Sequence, residues 1–243
     1  MRFPTPLIPA RLLRRYKRFL ADVIPETGPD AGREVTVHCP NPGAMLGLAD
    51  PGARIWIAPT PDPKRKLPYG WRLVELSNGH MAGIDTSLTN RVVAEALAAR
   101  AIPTLSAYEH IRSEARYAER SRVDFLLSGT DLQDAYVEVK SVTLRRNGDC
   151  AEFPDCVTAR GARHLADLAQ MVSEGHRAVM LYVVQRDDCA RLRMASDLDP
   201  VYARAFDTAR AAGVEMLCHA ARLDPTGITL DGPLPIALDH ARS

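Results

Sequence analysis

The chain changes its sequence pattern near residue 85, and this change limits the available folds more than any other feature. Residues 1–85 are rich in proline and glycine and alternate apolar with polar residues at 34–39, 54–58 and 71–76. Short alternating segments between turn residues are typical of a small β-barrel or sandwich. The first 85 residues are therefore predicted to form an all-β domain.

From residue 89 onward, helical and strand patterns follow one another. The pattern predicts helices at 89–101, 159–174 and 203–212, and strands at 111–117, 123–127, 136–144, 178–185 and 214–219. Thr89 or Asn90 is suited to the N-cap of the first helix, and Gly175 and Gly213 end the other two. This order favours an α/β domain with a mixed sheet flanked by helices. We therefore predict two domains, residues 1–85 and 86–243.

The near-neutral total charge conceals an uneven distribution along the chain. The 31 basic and 30 acidic residues leave a net charge of +1. Residues 1–72 carry 12 basic and 6 acidic side chains, whereas residues 73–243 carry 19 and 24. The total excludes a histone-like polycation, but a basic first domain is suited to phosphate groups.

Several classes of protein are excluded by simple counts. The longest apolar run has seven residues, 178–184, far short of the roughly 20 that span a membrane. The N-terminus has no apolar core of a secretory signal. The five cysteines form no CxxC pair, which argues against a zinc ribbon or a disulfide scaffold. We expect a cytoplasmic protein that does not associate with membranes.

Three charged residues on two successive strands form the strongest candidate site. Glu138 and Lys140 share one face of a strand, while Val137 and Val139 face the core. Asp124 faces away from its apolar neighbours on the preceding strand. If these strands pair, the three charged groups meet at one edge of the sheet. The alternative is a solvated ion pair between Glu138 and Lys140.

This constellation suits metal-dependent cleavage of a phosphodiester. Two close carboxylates repel each other unless a cation joins them, and oxygen ligands suit Mg²⁺ or Mn²⁺. The predicted ligands are Asp124, Glu138 and the main-chain carbonyl of Val139, and Lys140 would orient or deprotonate the attacking water. Only four of the 31 basic residues are lysines, which mildly favours a chemical reason for lysine at position 140.

Other charged residues are candidates with structural alternatives. A third carboxylate is predicted from Glu95 or Glu114, although solvent exposure is the commoner role of such residues. His38 and Cys39 are interpreted as structural rather than as metal ligands. Nucleic-acid contacts are predicted for basic residues that lie beside aromatic rings, flank Asp124 or occupy the first turns of a helix. They are Arg11, Arg14, Arg15, Lys17 and Arg18 with Tyr16 and Phe19; Lys64, Arg65 and Lys66 with Tyr69 and Trp71; Arg120 and Arg122; and Arg160 and Arg163 with His164.

Five stretches of the chain resemble the sugar fermentation stimulation protein (SfsA) family. They are residues 15–22, 38–45, 119–125, 137–144 and 153–161. The resemblance implies an N-terminal OB-like β-barrel and a C-terminal domain similar to the restriction-endonuclease-like PD-(D/E)xK fold. Asp124, Glu138 and Lys140 match that nuclease motif, with Val123 in place of its proline. Pro154 and Asp155 follow the Glu138 segment and are not the motif. Related nucleases often take a further acid from the opening helix, which favours Glu95 over Glu114.

The resemblance implies a DNA-binding protein with little sequence preference and a regulatory role in sugar (maltose) metabolism. The alternative is a Mg²⁺- or Mn²⁺-dependent nuclease that acts on DNA through Asp124, Glu138 and Lys140. A third interpretation is a transcriptional co-regulator that acts through a protein partner. The oligomeric state is open, with a homodimer among the alternatives.

Overall fold

Five strands of the first domain close into a barrel. A computed structural model describes residues 1–60, 64–118 and 121–238. The barrel strands are β1 (Ile8–Tyr16), β2 (Leu20–Pro25), β3 (Val35–His38), β4 (Arg54–Pro59) and β5 (Tyr69–Glu75). They pair in the order β1-β2-β3-β5-β4, and β4 pairs back with β1. The parallel pairing of His38 with Gly70 closes the barrel, as in an OB-fold.

The second domain is built on a mixed six-stranded sheet. Its helices are α1 (Thr89–Ala98), α2 (Ala159–Ser173) and α3 (Pro200–Ala211). A sixth strand, β6 (Met81–Gly83), pairs with β5 and extends the barrel sheet. The strands of the second domain are β7 (His110–Ala118), β8 (Ser121–Ser128), β9 (Ala135–Val142), β10 (Cys150–Phe153), β11 (Arg177–Val184), β12 (Arg191–Met194), β13 (Glu215–Asp224), β14 (Gly227–Pro233) and β15 (Ile236–Ala237). The large sheet has the order β14-β13-β11-β9-β8-β7, and β10, β12 and β15 form a small separate sheet.

The predicted mixed sheet with flanking helices is confirmed, with differences at the element ends. The N-cap prediction for α1 is wrong: Leu88 occupies that position, and Thr89 is already helical and buried. A short turn stabilised by Asp85, whose carboxylate accepts from the Ser87 N–H, precedes the helix. Within the described part of the chain, no helix is both long and apolar enough to cross a membrane. All five cysteines are free thiols.

One hydrophobic cluster contains residues of both domains. Leu7, Ala58 and Leu73 of the barrel segment pack in the same buried cluster as Val93 and Leu97 of α1 and several strands of the large sheet. A main-chain hydrogen bond of 2.8 Å from Gly83 to the Gln185 carbonyl crosses between them. Separation of the domains would therefore expose apolar surface to water, which is unfavourable.

The N-terminal segment is anchored on β14 at a position where only glycine fits. A Cβ on Gly227 would meet the main-chain oxygen of Met1 and lie 3.3 Å from the Arg2 Cα. Met1 itself is 95% buried, as its exposed fraction is 5%. The close approach of two main chains therefore fixes the residue at 227.

We predict that Gly227→Ala destabilises the protein. Forced repacking costs about 1–3 kcal/mol, and each kcal/mol lowers the Tm of a chain of this size by about 2–4 °C. Thermal unfolding followed by circular dichroism measures the change. Gly232→Ala, in the same strand with open space around its Cβ position, is the matched control. Equal Tm values for the two variants would contradict the prediction.

Candidate metal and nucleic-acid site

The site lies where β8 and β9 separate. Their pairing ends at Phe125 and Val137, while β9 continues to pair with β11. Beyond that point, Asp124 Oδ2 accepts a hydrogen bond of 2.7 Å from the Val139 main-chain N–H. A side chain thus takes the place of the next main-chain hydrogen bond between the strands, and Asp124 and Glu138 both line the cleft at this point.

Helix α1 fixes the other oxygen of Asp124, but with an amide rather than an acid. Asn90 Nδ2 donates to Asp124 Oδ1 at 2.7 Å. Glu95, predicted as a third carboxylate, instead lies 2.9 Å from the Met1 ammonium and 3.7 Å from Arg91. The structure does not bring Glu95 to the cleft, because the helix turns Asn90 and not Glu95 towards Asp124.

Glu138 is buried, and its two carboxylate oxygens have different surroundings. Oε1 accepts a hydrogen bond of 2.7 Å from Lys140 Nζ, and His164 Nδ1 is bonded to the same atom. Oε2 is buried and has no hydrogen-bond partner among the described residues. The predicted common face of Glu138 and Lys140 is confirmed, and Val137 and Val139 are buried in the core.

The pKa values of the two carboxylates are shifted in opposite directions. Burial and the nearby charge of Glu138 raise the pKa of Asp124, despite the hydrogen bonds that it accepts. Burial also acts to raise the pKa of Glu138, but the His164 hydrogen bond and the Lys140 charge outweigh it, and this pKa lies below its ordinary value. The repulsion between the carboxylates is the kind that a bound cation relieves.

The donor set fits a hard divalent cation with several water ligands. Mg²⁺ is commonly held by one or two carboxylates and keeps much of its hydration. Asp124 and the unpartnered Glu138 Oε2 supply those carboxylates, and Val139 lines the same space. No cluster of three or more His, Cys, Asp or Glu that could hold a metal occurs in residues 1–60, 64–118 and 121–238.

One further carboxylate in the cleft is already neutralised. Glu152 lines the cleft and is almost fully buried. Its Oε1 accepts from Arg193 Nε at 2.6 Å and from Arg146 Nη2 at 3.2 Å. These arginines occupy the oxygens that a metal would need, so Glu152 has a structural role.

The cleft around the two carboxylates is shared by both domains. It has a volume of about 590 Å³. The barrel contributes Arg18 and the loop at 41–43, and the second domain contributes the segment at 152–158 and Arg160. Asp155, which is not part of the nuclease motif, lies where the two domains meet. The Met45 N–H of the barrel donates to its carboxylate at 3.5 Å.

The first predicted basic cluster is divided between structural and exposed roles. Arg15 donates to the carbonyls of Asn41 and Gly43 at 2.8 and 3.0 Å and so stabilises the loop that lines the cleft. Arg11 pairs with Glu26 at 3.0 Å, and Arg14 pairs with Asp22 at 2.8 Å. Lys17 and Arg18 are exposed at the β1–β2 turn, both with positive φ, and only Arg18 of this cluster lines the cleft.

The second basic cluster lines a separate pocket next to the cleft. Arg65 and Lys66 border this pocket, which also has a volume of about 590 Å³, and Lys64 is exposed beside them. The expected stacking role of Tyr69 and Trp71 is wrong, because both rings are buried in the barrel core. These rings follow the inward alternation of β5 and cannot stack on bases.

The remaining candidates lie away from Asp124 and Glu138. Glu114 is exposed on β7, with a positive φ of 54°, and does not line the cleft. Arg122 and Arg163 are also exposed outside the cleft lining, and Arg120 lies outside the described residues. Of the predicted nucleic-acid contacts, Arg18 and Arg160 therefore line the same cleft as the metal candidates.

Sequence reasoning underestimated His164 and missed Asn90 as a site residue. His164 was grouped with Arg160 and Arg163 as helix-terminal charge, but it is buried against Glu138. Its position five residues into α2, on the same helical face as Leu165 and Leu168, was the available signal of burial. The sequence pattern indicated Asn90 only as a candidate for the N-cap of the first helix.

An OB-like barrel followed by a mixed six-stranded sheet with flanking helices defines the class of fold, and Asp124, Glu138 and Lys140 line the cleft between the two parts. Residues 13–84 match the model of the SfsA N-terminal OB domain, and residues 87–227 match that of the sugar fermentation stimulation protein RE domain. The chain belongs to the sugar fermentation stimulation protein family.

Similar proteins support this membership over nearly the whole chain. The homolog from Dinoroseobacter shibae is 66% identical over 236 residues, which cover 97% of this chain and 96% of that protein. The homolog from Jannaschia sp. is 64% identical and covers 97% of both chains. The solved structure of Pyrococcus furiosus SfsA in complex with Ca²⁺ has a TM-score of 0.87 and 28% identity, and covers 98% of each chain.

We predict that divalent cations stabilise the protein through Asp124. A ligand at about 100 times its Kd adds about 2.7 kcal/mol, which corresponds to a Tm increase of about 5–10 °C for a chain of this size. Thermal unfolding with and without Mg²⁺, Mn²⁺ or Ca²⁺ at constant ionic strength measures it. Asp124→Asn should abolish the increase, and Glu114→Gln is the control that retains it. The same increase in all three proteins would contradict this location.

Proposed function

We propose that the protein binds DNA in the cleft between its two domains, with little preference for sequence. The observation that carries this proposal is that Arg18 of the barrel and Arg160 of the second domain line one cleft with the carboxylate pair. Cations on the rim contact phosphates, which are the same in every sequence. The adjoining pocket with Arg65 and Lys66 provides further contacts for a longer strand.

The turn between β1 and β2 presents suitable groups at the mouth of the cleft. Lys17 and Arg18 are exposed, and Phe19 has 46% of its surface exposed. An exposed aromatic ring beside cations is the combination that stacks on bases and contacts phosphates in single-stranded nucleic acid. Arg18 also has a φ of 61°, a conformation that is costly for arginine and is often found at functional sites.

We predict that DNA affinity falls steeply with salt concentration and depends on Arg18. Each neutralised phosphate contributes about 0.7–0.9 to the slope of log K against log salt. Arg18→Ala should weaken binding to all sequences alike and reduce the slope by about 1. Fluorescence anisotropy with labelled single-stranded and duplex oligonucleotides measures both effects. Arg210→Ala, an exposed arginine on α3, is the control. Binding that does not depend on salt would exclude the proposal.

A second function, metal-dependent cleavage of DNA, is favoured by the unpartnered oxygen of Glu138. A buried carboxylate oxygen without a hydrogen bond is unfavourable unless another partner satisfies it. Mg²⁺ or Mn²⁺ at this oxygen and at Asp124 would act as a Lewis acid on the phosphoryl group. The Ca²⁺ complex of the Pyrococcus furiosus relative supports divalent cation binding in this family.

The residues of the chain supply the remaining parts of such a reaction. Lys140 Nζ is held 2.7 Å from Glu138 Oε1 on the wall of the cleft, where its charge offsets negative charge that develops on the phosphate. Asn90 and the Val139 N–H fix both oxygens of Asp124 and so prevent it from rotating. Arg18 and Arg160 position the strand, which lowers the entropic cost of the reaction.

We predict that Lys140→Ala lowers Mn²⁺-dependent cleavage about 10²-fold or more, since a group that stabilises developing charge contributes on that scale. Nicked, branched, single-stranded and duplex substrates, together with RNA, should be incubated with each protein and the products separated on denaturing gels. Glu114→Gln is the control that keeps its activity. Equal products from wild type and Lys140→Ala would assign the cleavage to a contaminant.

We further propose a regulatory role in sugar (maltose) metabolism, for which the family name supports only the link to sugar, and a cytoplasmic location, which rests on the sequence alone. The described side chains that line the cleft are suited to phosphate and metal, so a regulatory effect would act through DNA. Transcript levels of maltose genes in a deletion strain, complemented with wild type or Arg18→Ala, test this link. Restoration by both proteins would separate the regulatory role from DNA binding.

A further inference from the structure

His164 connects an exposed cation to the buried metal candidate. It is 6% exposed, and its Nδ1 is bonded to Glu138 Oε1. On the other side of the ring, Arg160 Nε donates to His164 Nε2 at 3.2 Å. Arg160 is exposed and lines the cleft. A continuous chain of three side chains therefore runs from the cleft surface to the carboxylate.

The contacts on the imidazole ring fix its tautomer. Because Nε2 accepts a hydrogen bond from Arg160, it carries no proton, and the proton of a neutral ring lies on Nδ1. Nδ1–H then donates to Glu138 Oε1, and the contact of 3.2 Å between Lys140 Nζ and Nδ1 is a packing contact. Both contacts therefore require Nδ1 to be the donor to Glu138, and Arg160 occupies the acceptor on the other side of the ring.

The same contacts determine which Glu138 oxygen is available. Oε1 receives hydrogen bonds from Lys140 and His164, whereas Oε2 receives none from the described residues. The carboxylate is therefore held in one rotational position, with Oε2 left for a cation. Loss of either hydrogen bond would allow the Glu138 carboxylate to rotate and would lower its affinity for a cation.

A glycine in the first turn of α2 allows the helix position that brings His164 to Glu138. A Cβ on Gly161 would lie 2.9 Å from both Thr158 Cγ2 and Tyr202 Cε2, and Tyr202 is fully buried with its hydroxyl 2.7 Å from that of Tyr182. Glycine at 161 thus allows the first turn of α2 to pack closely against Tyr202 of α3, whose hydroxyl contacts Tyr182 of the large sheet. This approach brings His164, one turn later, to Glu138.

We propose that His164 is a positioning residue that couples phosphate binding at Arg160 to divalent cation binding at Glu138. Arg160 uses Nε for His164, and its terminal nitrogens remain for a phosphate in the cleft. A phosphate that fixes Arg160 would fix the ring and, through it, Glu138. Nucleic acid and the cation should therefore strengthen each other's binding, since such coupling is reciprocal. This inference rests on the proposed metal and DNA site.

Two binding measurements on the full chain test the coupling without any turnover. Calorimetric titration with Ca²⁺ gives the cation affinity. Anisotropy of a labelled single-stranded oligonucleotide, in EDTA and in saturating Ca²⁺ at equal ionic strength, gives the coupling. For wild type, we expect Ca²⁺ to tighten oligonucleotide binding by about 5-fold or more. His219→Ala, a buried histidine on β13 away from the cleft lining, is the matched control and should behave like wild type.

The variants separate the two hydrogen bonds of the ring. His164→Ala should weaken Ca²⁺ binding by about 10–100-fold and remove the coupling. His164→Asn, whose amide can replace the Nδ1 donor but not reach Arg160, should restore most of the Ca²⁺ affinity without the coupling. Arg160→Ala should keep the Ca²⁺ affinity and lose the coupling.

Particular outcomes would overturn the inference. Ca²⁺ affinity of His164→Asn as low as that of His164→Ala would exclude the donor role, and coupling that persists in Arg160→Ala would exclude the connection to phosphate. Asp124→Asn distinguishes these results from failure of the proposed function. If it binds Ca²⁺ as wild type does, the cation lies elsewhere, and both the proposed site and this inference are wrong.

Discussion

The hydrogen bond from the Val139 N–H to the Asp124 carboxylate is the interaction on which the rest of the site depends. It ends the pairing of β8 with β9 while β9 remains paired with β11. Had the ladder continued, the main chain of β8 would occupy the space that is now the cleft. The Asp124 side chain thus satisfies the Val139 N–H, and it also ends the strand pairing, so that the cleft opens beside it.

Burial of the charged groups around the cleft makes the ionisation of each carboxylate depend on its neighbours. Glu138 stays ionised in a buried position because Lys140 and His164 compensate for the loss of water. Among the described residues, the hydrogen-bond donors to Asp124 are neutral, and burial together with the charge of Glu138 acts against its ionised form. The pKa of Glu138 is lowered and that of Asp124 is raised, so an added cation would favour ionisation most at Asp124.

Sequence patterns predicted the parts of this architecture that depend on local alternation. The period of two on β9 placed Glu138 and Lys140 on one face, and the change of pattern near residue 85 located the transition from barrel to mixed sheet. The rotation of α1, which selects Asn90 and not Glu95, depends on packing between distant segments. The same holds for His164, and for Tyr69 and Trp71, whose direction follows from barrel closure.

The hydrophobic cluster shared by the barrel and the second domain fixes the width of the cleft. Because Leu7, Ala58 and Leu73 are buried in the same cluster as α1 and the large sheet, the two walls of the cleft cannot move apart without partial unfolding. The width of the cleft is therefore set when the chain folds and not when a strand enters.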